Sequence, residues 1–281
     1  MNKLKFLIVM LVVLLFGSSA QAQTNVLDGV YVKEHTPERK VIPYTYLREA
    51  DVQWSKRIWR MLDMREKKNH PLYFPTEVIN NRKSLTQVIL DGILNDGTIT
   101  AYSTDDDEFK KALTKEEIKA LLSGTVDTLY IDDPENPGNQ IQKVVTNEFK
   151  PETIKKYMIK EDWFFDKQRS VLDVRIVGIC AIMDALNDDG SFKALKQMFW
   201  IYYPEARYVF ANAEVYNRRN DAERRTLEDI IWKRDFSSYV YKETNVYDRS
   251  ISEYKTGMDA LLEAEKIKED IFNYEHDMWE Y

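Results

Sequence analysis

Residues 170–184 read Ser-Val-Leu-Asp-Val-Arg-Ile-Val-Gly-Ile-Cys-Ala-Ile-Met-Asp, and this stretch decides the fold class. It is the longest strand-like run of the chain, because Val and Ile recur along it. The Asn-Asp-Asp-Gly sequence at 187–190 predicts a turn, and residues 198–203 predict a second strand that Pro204 ends. Apolar residues fall on both faces of this second strand, so we expect a sheet that is covered on both sides.

The segments around these two strands predict a mixture of helices and hairpins. Residues 125–131 and 141–146 alternate apolar and polar side chains around a loop at 132–139, which predicts a hairpin with a long exposed tip. A short strand is expected at 98–102. The predicted helices begin at Asp51, behind Ser84 as an N-cap, at the Thr114 capping box, at Pro151 and behind Thr226, and the last one covers residues 258–274.

Three of these assignments rest on a single local pattern. Trp54, Ile58 and Met61 share one face of a helical wheel, which predicts the helix that begins at Asp51. Pro151 predicts a helix through residue 160. The acidic run at 105–108 lacks the spacing of an EF-hand calcium loop and indicates the solvated start of a helix. The mixed order of elements, with antiparallel hairpins and a mostly helical C-terminal part after residue 205, predicts an α+β fold.

The composition argues against several classes of partner. The formal net charge is −7 and the pI is about 5.3, which argues against a nucleic-acid partner, since phosphate backbones bind clustered Lys and Arg. Cys180 is the only cysteine, so no intramolecular disulfide forms, and its apolar neighbours predict a small buried side chain. Hydrophobic residues make up 44% of the chain, which is enough for a folded core.

The N-terminus has the pattern of a cleaved secretory signal peptide. Lys3 and Lys5 precede an apolar run at 6–16, and Ala-Gln-Ala at 20–22 predicts cleavage before Gln23. The apolar run of about 11 residues is too short for the roughly 20 that cross a membrane, and no cysteine at position 23 is present to carry a lipid. We therefore expect a mature chain that works outside the cytoplasm. It has an extended arm at 23–50 and one α+β domain at 51–281, with a sub-division near residue 150 as an alternative.

No familiar enzyme motif is present in the sequence. The chain has three histidines, at 35, 70 and 276, and it lacks a Gly-x-Ser-x-Gly elbow, a P-loop, a His-Glu-x-x-His pair and a pair of cysteines. No catalytic residue, cofactor or metal is predicted. A hydrolase that uses two carboxylates stays open as an alternative, because 47 acidic residues leave many pairs that sequence alone does not place.

Blocks of sequence along nearly the whole mature chain resemble the GldN/PorN family of Bacteroidetes gliding-motility and type IX secretion proteins. These blocks lie at residues 56–69, 71–75, 165–170, 200–207, 210–212, 247–249 and 275–280. The resemblance implies a non-enzymatic periplasmic structural protein that assembles with an outer-membrane lipoprotein, GldK/PorK, into a large ring. It also implies contacts with the periplasmic part of the motor protein GldM/PorM, and it carries over no catalytic residue.

A ring subunit needs two different patches that meet head to tail, and aromatic and Arg side chains are common anchors of such patches. The predicted partner-binding residues are Tyr202, Tyr203, Arg207, Arg218 and Arg219, together with the N-terminal arm. For the two tyrosines, a place in the core at the end of the strand is the alternative. Three hypotheses follow: an assembly subunit held at the outer membrane by its partner, a periplasmic carboxylate-dependent hydrolase, and a cell-wall binding module.

Overall fold

The computed structural model describes residues 39–79, 82–122, 126–132, 140–146, 149–186, 192–218, 220 and 222–277. These residues all lie in the compact unit Arg39–Tyr281. The predicted signal peptide, the first part of the predicted arm, the hairpin tip at 133–139 and the turn at 187–190 lie outside the described residues. The domain boundaries at residues 22 and 50 therefore stay predictions.

Strands and helices alternate along the chain in mixed order. The strands are β1 Val52–Asp63, β2 Ala101–Tyr102, β3 Val126–Asp132, β4 Gln140–Thr146, β5 Ile154–Asp166, β6 Val171–Leu186, β7 Phe192–Tyr202, β8 Glu214–Val215, β9 Arg225–Thr226 and β10 Tyr239–Glu243. The helices are α1 His70–Tyr73, α2 Leu85–Leu90, α3 Lys115–Leu122, α4 Tyr203–Phe210, α5 Leu227–Trp232, α6 Ile251–Tyr254 and α7 Met258–Asp277. Short 3-10 turns at Glu49–Asp51 and Pro151–Thr153 lead into β1 and β5, and a π-helical turn at Asp91–Asp96 continues α2.

The centre of the fold is a six-stranded antiparallel sheet with the strand order β10-β1-β5-β6-β7-β2. The strand pairing places one row of side chains, Met61, Met158, Cys180 and Trp200, across four neighbouring strands on one face. The adjacent row lies on the opposite face because successive side chains of a strand alternate. Two further pairs of strands, β3–β4 and β8–β9, form separate two-stranded sheets.

The two faces of the sheet are covered differently. On one face, which we call the helix face, the row that contains Leu62, Tyr157 and Phe199 packs against buried residues of α2, α4 and α5 in the largest cluster of the core. Helix α7 covers the β1–β10 end of the same face through Ile267 and Ile271. The opposite face, which we call the loop face, carries the Met61–Trp200 row, and a loop at 103–110 packs on it. This arrangement confirms the α+β class and the sheet covered on both sides.

Local capping signals in the sequence are confirmed by the structure. The Ser84 hydroxyl accepts a hydrogen bond from the backbone N–H of Gln87, whose side chain bonds back to Ser84. Gly97 ends this helical segment in the left-handed conformation, where a glycine has no Cβ to clash. Thr114 caps α3 and Thr226 caps α5 in the same reciprocal way. The predicted hairpin strands, the long strand β6 and the docked last helix are also present.

Three predictions of secondary structure are wrong. The helix expected from Asp51 is the strand β1, in which Ile58, Trp59, Met61 and Leu62 are all buried because the strand is covered on both faces. The helix expected from Pro151 is only a 3-10 turn that leads into β5. The acidic run at 105–108 belongs to the loop over the sheet, and the next helix is α3. The helical C-terminal part is confirmed, and it also contains the strand β10, which pairs with β1 at the edge of the sheet.

Candidate functional site

The predicted partner-binding residues lie in different surroundings. Tyr202 ends β7 on the loop face and stays 40% exposed, and Arg218 is exposed after β8. Tyr203 and Arg207, on α4, are 1% and 3% exposed, so their side chains contact residues of the chain itself. Arg219 lies outside the described residues. The structure brings Tyr203 and Arg207 together at the carboxylate of Glu228.

Arg207 fastens the last part of the predicted arm to the domain. Its guanidinium lies 4.4 Å from the ring centroid of Tyr44 and 4.5 Å from that of Trp232, and these two centroids are 5.4 Å apart. Its Nε donates to Glu228 Oε1 at 2.7 Å, and its Nη2 donates to the carbonyl oxygen of Ile42 at 2.8 Å. Two cation–π contacts and two charge-assisted hydrogen bonds therefore converge on one buried side chain. We call these five residues the arm clamp.

Neighbouring residues complete the attachment of the arm. The Tyr203 hydroxyl donates to the second oxygen of Glu228 at 2.7 Å, and burial is the main cause that raises the pKa of Tyr203. Burial also raises the pKa of Tyr44 to about 12. Further along the arm, Arg39 donates to the carboxylate of Asp229 at 2.6 Å and to the carbonyl oxygen of Arg224 at 2.6 Å. The arm from Arg39 to Tyr44 is thus held by side-chain contacts and not by a strand ladder.

A second group of polar contacts fixes the loop at 103–110 on the sheet. Lys160 is 2% exposed, and its Nζ donates to the Asp107 carbonyl oxygen at 2.5 Å and lies 3.3 Å from Asp107 Oδ1. The indole N–H of Trp59 donates to Asp107 Oδ2 at 2.8 Å. Burial lowers the pKa of Lys160, and the charge of Asp107 opposes this shift. Asp107 is therefore the residue of the acidic run that attaches the loop to the sheet.

Phe109 closes the same loop with an aromatic contact. Its backbone has φ of +58°, and its ring lies directly over Gly178. The ring makes edge contacts with Trp200 and Tyr202, at centroid distances of 6.1 and 5.7 Å. A side chain at position 178 would occupy the space of this ring. One side of Tyr202 is therefore occupied by its own chain, and the exposed remainder faces solvent.

An open groove of about 1200 Å³ lies between this loop and strands β1 and β10. Its lining includes Trp59, Arg57, Asp107, Asp162 and Lys242. Arg57 donates to both oxygens of Asp162, at 2.6 and 2.8 Å, and Lys160 binds Asp107. These two carboxylates of the groove are therefore each paired with a cation of the chain. Among the described residues, no group of three or more His, Cys, Asp or Glu side chains is arranged to hold a metal ion.

Helix α7 carries exposed apolar side chains in addition to those that it buries. Ala264, Ile267 and Ile271 are buried against the sheet and its neighbours. Four other apolar residues are 54–70% exposed: Met258, Leu261, Leu262 and Phe272. With 3.6 residues per turn, these four fall within about 100° of the helix circumference, on a side that adjoins the buried three. Helix α7 therefore has two apolar sides, of which only one is used within the described chain, and we call the other the outer side of α7.

The sequence did not identify Asp107, Lys160 or the aromatic partners of Arg207. The acidic run marked Asp107 only as one of several solvated acids, and nothing local distinguishes Lys160 from the other lysines of the chain. The sequence does indicate the outer side of α7, because the apolar residues of this helix do not all fall on one narrow stripe. Two apolar sides produce this pattern.

Comparison with known proteins assigns the chain to a family. Among the described residues, no helix is long and apolar enough to cross a membrane. A search of curated proteins finds no match. A family model described as "Gliding motility associated protein GldN" matches residues 47–280, which is nearly the whole chain and includes β1, the loop face and α7. The chain belongs to the GldN family of gliding motility associated proteins.

Proposed function

We propose that this protein is a non-enzymatic periplasmic structural subunit of the type IX secretion and gliding-motility machinery. In this proposal it assembles with an outer-membrane lipoprotein of the GldK/PorK kind into a large ring, and it contacts a periplasmic motor protein of the GldM/PorM kind. Membership in the GldN family supports the link to gliding motility. The predicted signal peptide at 1–22 supports the periplasmic location.

The outer side of α7 is the observation that carries the proposal. Contiguous exposed apolar patches on soluble proteins commonly mark protein–protein contacts. Met258, Leu261 and Leu262 lie within little more than one turn of each other, and Phe272 continues the same side. Glu265 and Glu269 fall between them, so the patch is an apolar strip with an acidic middle. We propose this strip as the contact with the lipoprotein.

Light scattering on residues 23–281 tests the proposal, with the chain alone and mixed with the soluble part of the candidate lipoprotein. We expect a co-eluting complex that is larger than a one-to-one pair. Replacing Leu261 and Leu262 by Asp should weaken the complex at least tenfold and leave the fold intact, because both side chains are exposed. The exposed Lys266→Asp change on the same helix is the matched control. Separate monomer peaks for the wild-type mixture would refute the assembly proposal and return attention to the carboxylates of the groove.

The periplasmic location has its own test. Mass spectrometry of the mature protein purified from native cells should give an N-terminus at Gln23, because cleavage is expected after Ala-Gln-Ala. Fractionation should recover the chain with the outer membrane only while the lipoprotein is present. An intact N-terminus at Met1 in the cytoplasmic fraction would contradict the location.

A further inference from the structure

The outer edge of β7 is open over most of its length. On one side, β7 pairs with β6 from Phe192 to Tyr202. On the other side, the short strand β2 pairs only with Trp200 and Ile201. Among the described strands, none pairs with residues 192–199 on this outer side. Residues 193–197 are all exposed, so the backbone N–H and C=O groups of this edge are accessible to another strand.

The hairpin of β3 and β4 lies outside the central sheet. Its two seven-residue strands pair with each other from Val126↔Thr146 to Asp132↔Gln140. In the described chain they pair with no strand of the six-stranded sheet. An isolated two-stranded hairpin is at best marginally stable in water and gains stability from a third strand. The outer edge of β3 is therefore unpaired in the described chain, like the outer edge of β7, and each has backbone N–H and C=O groups to offer.

Length and charge make the two edges complementary. The open segment of β7 reads Phe-Lys-Ala-Leu-Lys-Gln-Met-Phe, with two lysines and no acid, whereas β3 reads Val-Asp-Thr-Leu-Tyr-Ile-Asp, with two aspartates and no base. Eight residues of edge suit a strand of seven. Two β7 edges would oppose lysine to lysine, which destabilises a sheet, and edge lysines commonly prevent such pairing. The acidic strand β3 lacks this repulsion.

We propose that β3 of one copy adds to the outer edge of β7 in a second copy, so that the six-stranded sheet continues into the hairpin of its neighbour. Backbone hydrogen bonds supply the contact, and the Lys–Asp complement selects the partner strand. The donor and acceptor patches differ, so each copy both gives a hairpin and receives one. Such head-to-tail association closes into a ring or extends as a filament. This inference rests on the proposed function, because it supplies the self-association that a ring requires.

Two complementary variants test the inference by sedimentation velocity. Lys193→Glu with Lys196→Glu blocks the β7 edge and keeps the hairpin. Replacing residues 126–146 by a short Gly-Ser link removes the hairpin and keeps the edge; Val126 and Thr146 are ladder partners, so the link spans a short gap. We expect wild-type chain to form a series of oligomers, each variant alone to associate at least tenfold more weakly, and their mixture to stop at a one-to-one dimer.

The control and the charge swap make the result specific. Lys119→Glu with Lys266→Glu changes the net charge equally at two exposed helical sites and should associate like wild type. Adding Asp127→Lys and Asp132→Lys to the edge-blocked chain restores opposite charges and should restore the oligomers. Oligomers unchanged in the edge-blocked variant, or a mixture that stays monomeric while wild type associates, would overturn the inference. A wild-type chain that stays monomeric at every concentration, with and without lipoprotein, would also overturn it.

Cysteine cross-linking gives an independent reading in native cells. Leu195→Cys is combined with either Thr128→Cys or Leu129→Cys. Both combinations are needed because neighbouring residues of a strand point to opposite faces of the sheet, so only one of the two lies on the same face as residue 195. Cys180 is fully buried and does not interfere. One of the two double variants should give a ladder of dimers, trimers and larger species, and no single variant should. A dimer from Leu195→Cys alone would show that β7 edges pair with each other, which contradicts the inference.

Failure of this inference and failure of the proposed function give different results. The edge-blocked variant keeps the outer side of α7, so it should still bind the lipoprotein in the light-scattering experiment. If it binds and its self-association equals that of wild type, the strand-addition inference is refuted and the assembly function stands. If the wild-type chain neither binds the lipoprotein nor associates with itself, the proposed function fails as well.

Discussion

Replacing Arg207 by Ala should strongly destabilise the protein. The residue is 3% exposed, so loss of its side chain leaves the Glu228 carboxylate without its cationic partner, while the Tyr203 hydroxyl still donates to it. Breaking a buried ion pair from one side costs about 3–5 kcal/mol. Arg207→Ala also removes the cation–π contacts with Tyr44 and Trp232. Because a folded domain is stable by about 5–15 kcal/mol, we expect Arg207→Ala to remove a large fraction of the free energy of unfolding.

Urea unfolding followed by tryptophan fluorescence measures this loss. Arg218→Ala is the matched control, since the side chain is exposed and its removal should change stability by about 0.5 kcal/mol or less. The double change Arg207→Met with Glu228→Gln should cost less than Arg207→Ala, because it leaves no buried charge without a partner. Trypsin should also cut faster after Lys40 when the clamp is lost. A loss below about 1 kcal/mol with unchanged cleavage would refute the reasoning about a buried, paired Arg207.

Three further changes test other parts of the structure. Gly178→Ala places a methyl group where the Phe109 ring lies. It should lower the free energy of unfolding by about 1–3 kcal/mol and increase acrylamide quenching of tryptophan fluorescence. Unchanged quenching would contradict the contact between Phe109 and Gly178. Thr226→Ala removes a capping box and should cost about 1 kcal/mol in urea unfolding, whereas a neutral result would count against the cap. The hydrogen bond from Arg65 lowers the pKa of Asp63. The stability from this pair is therefore present above a pH of about 3.9 and is lost as the pH falls through the lowered pKa of the folded state. Arg65→Met should remove this pH dependence of the free energy of unfolding, and a variant with the same acid-unfolding profile as wild type would disprove it.

The elements that the sequence predicted correctly are those with a local cause. Ser84 and Thr226 each bond the backbone three residues later, and Gly97 supplies a left-handed residue at a helix end. Each of these contacts lies within one turn, so the residues that make it are neighbours in the sequence. The strand β6 has the same advantage, because its many β-branched residues favour the extended conformation without help from a distant segment.

Two of the wrong predictions involve strands that are covered on both faces, β1 and β5. In β1, Ile58 and Leu62 face the helices while Trp59 and Met61 face the loop, so apolar side chains occur in both rows. This strand shows no alternation with period two, and some of its apolar residues fall by spacing on one side of a helical wheel. Pairing with β5 and β10, which are far away in the sequence, stabilises this segment as a strand and not as a helix.

The contacts of the candidate site were beyond local patterns for the same reason. Arg207 and Ile42 are 165 residues apart, and Asp107 and Lys160 are 53 residues apart. The sequence predicted that Arg207 binds a partner protein, since Arg and aromatic side chains are common anchors of interfaces. In the structure its buried side chain contacts the chain's own arm. The arm residues from Arg39 to Tyr44 therefore stabilise the domain that they precede, and we propose the outer side of α7 and the open edge of β7 as surfaces that bind other chains.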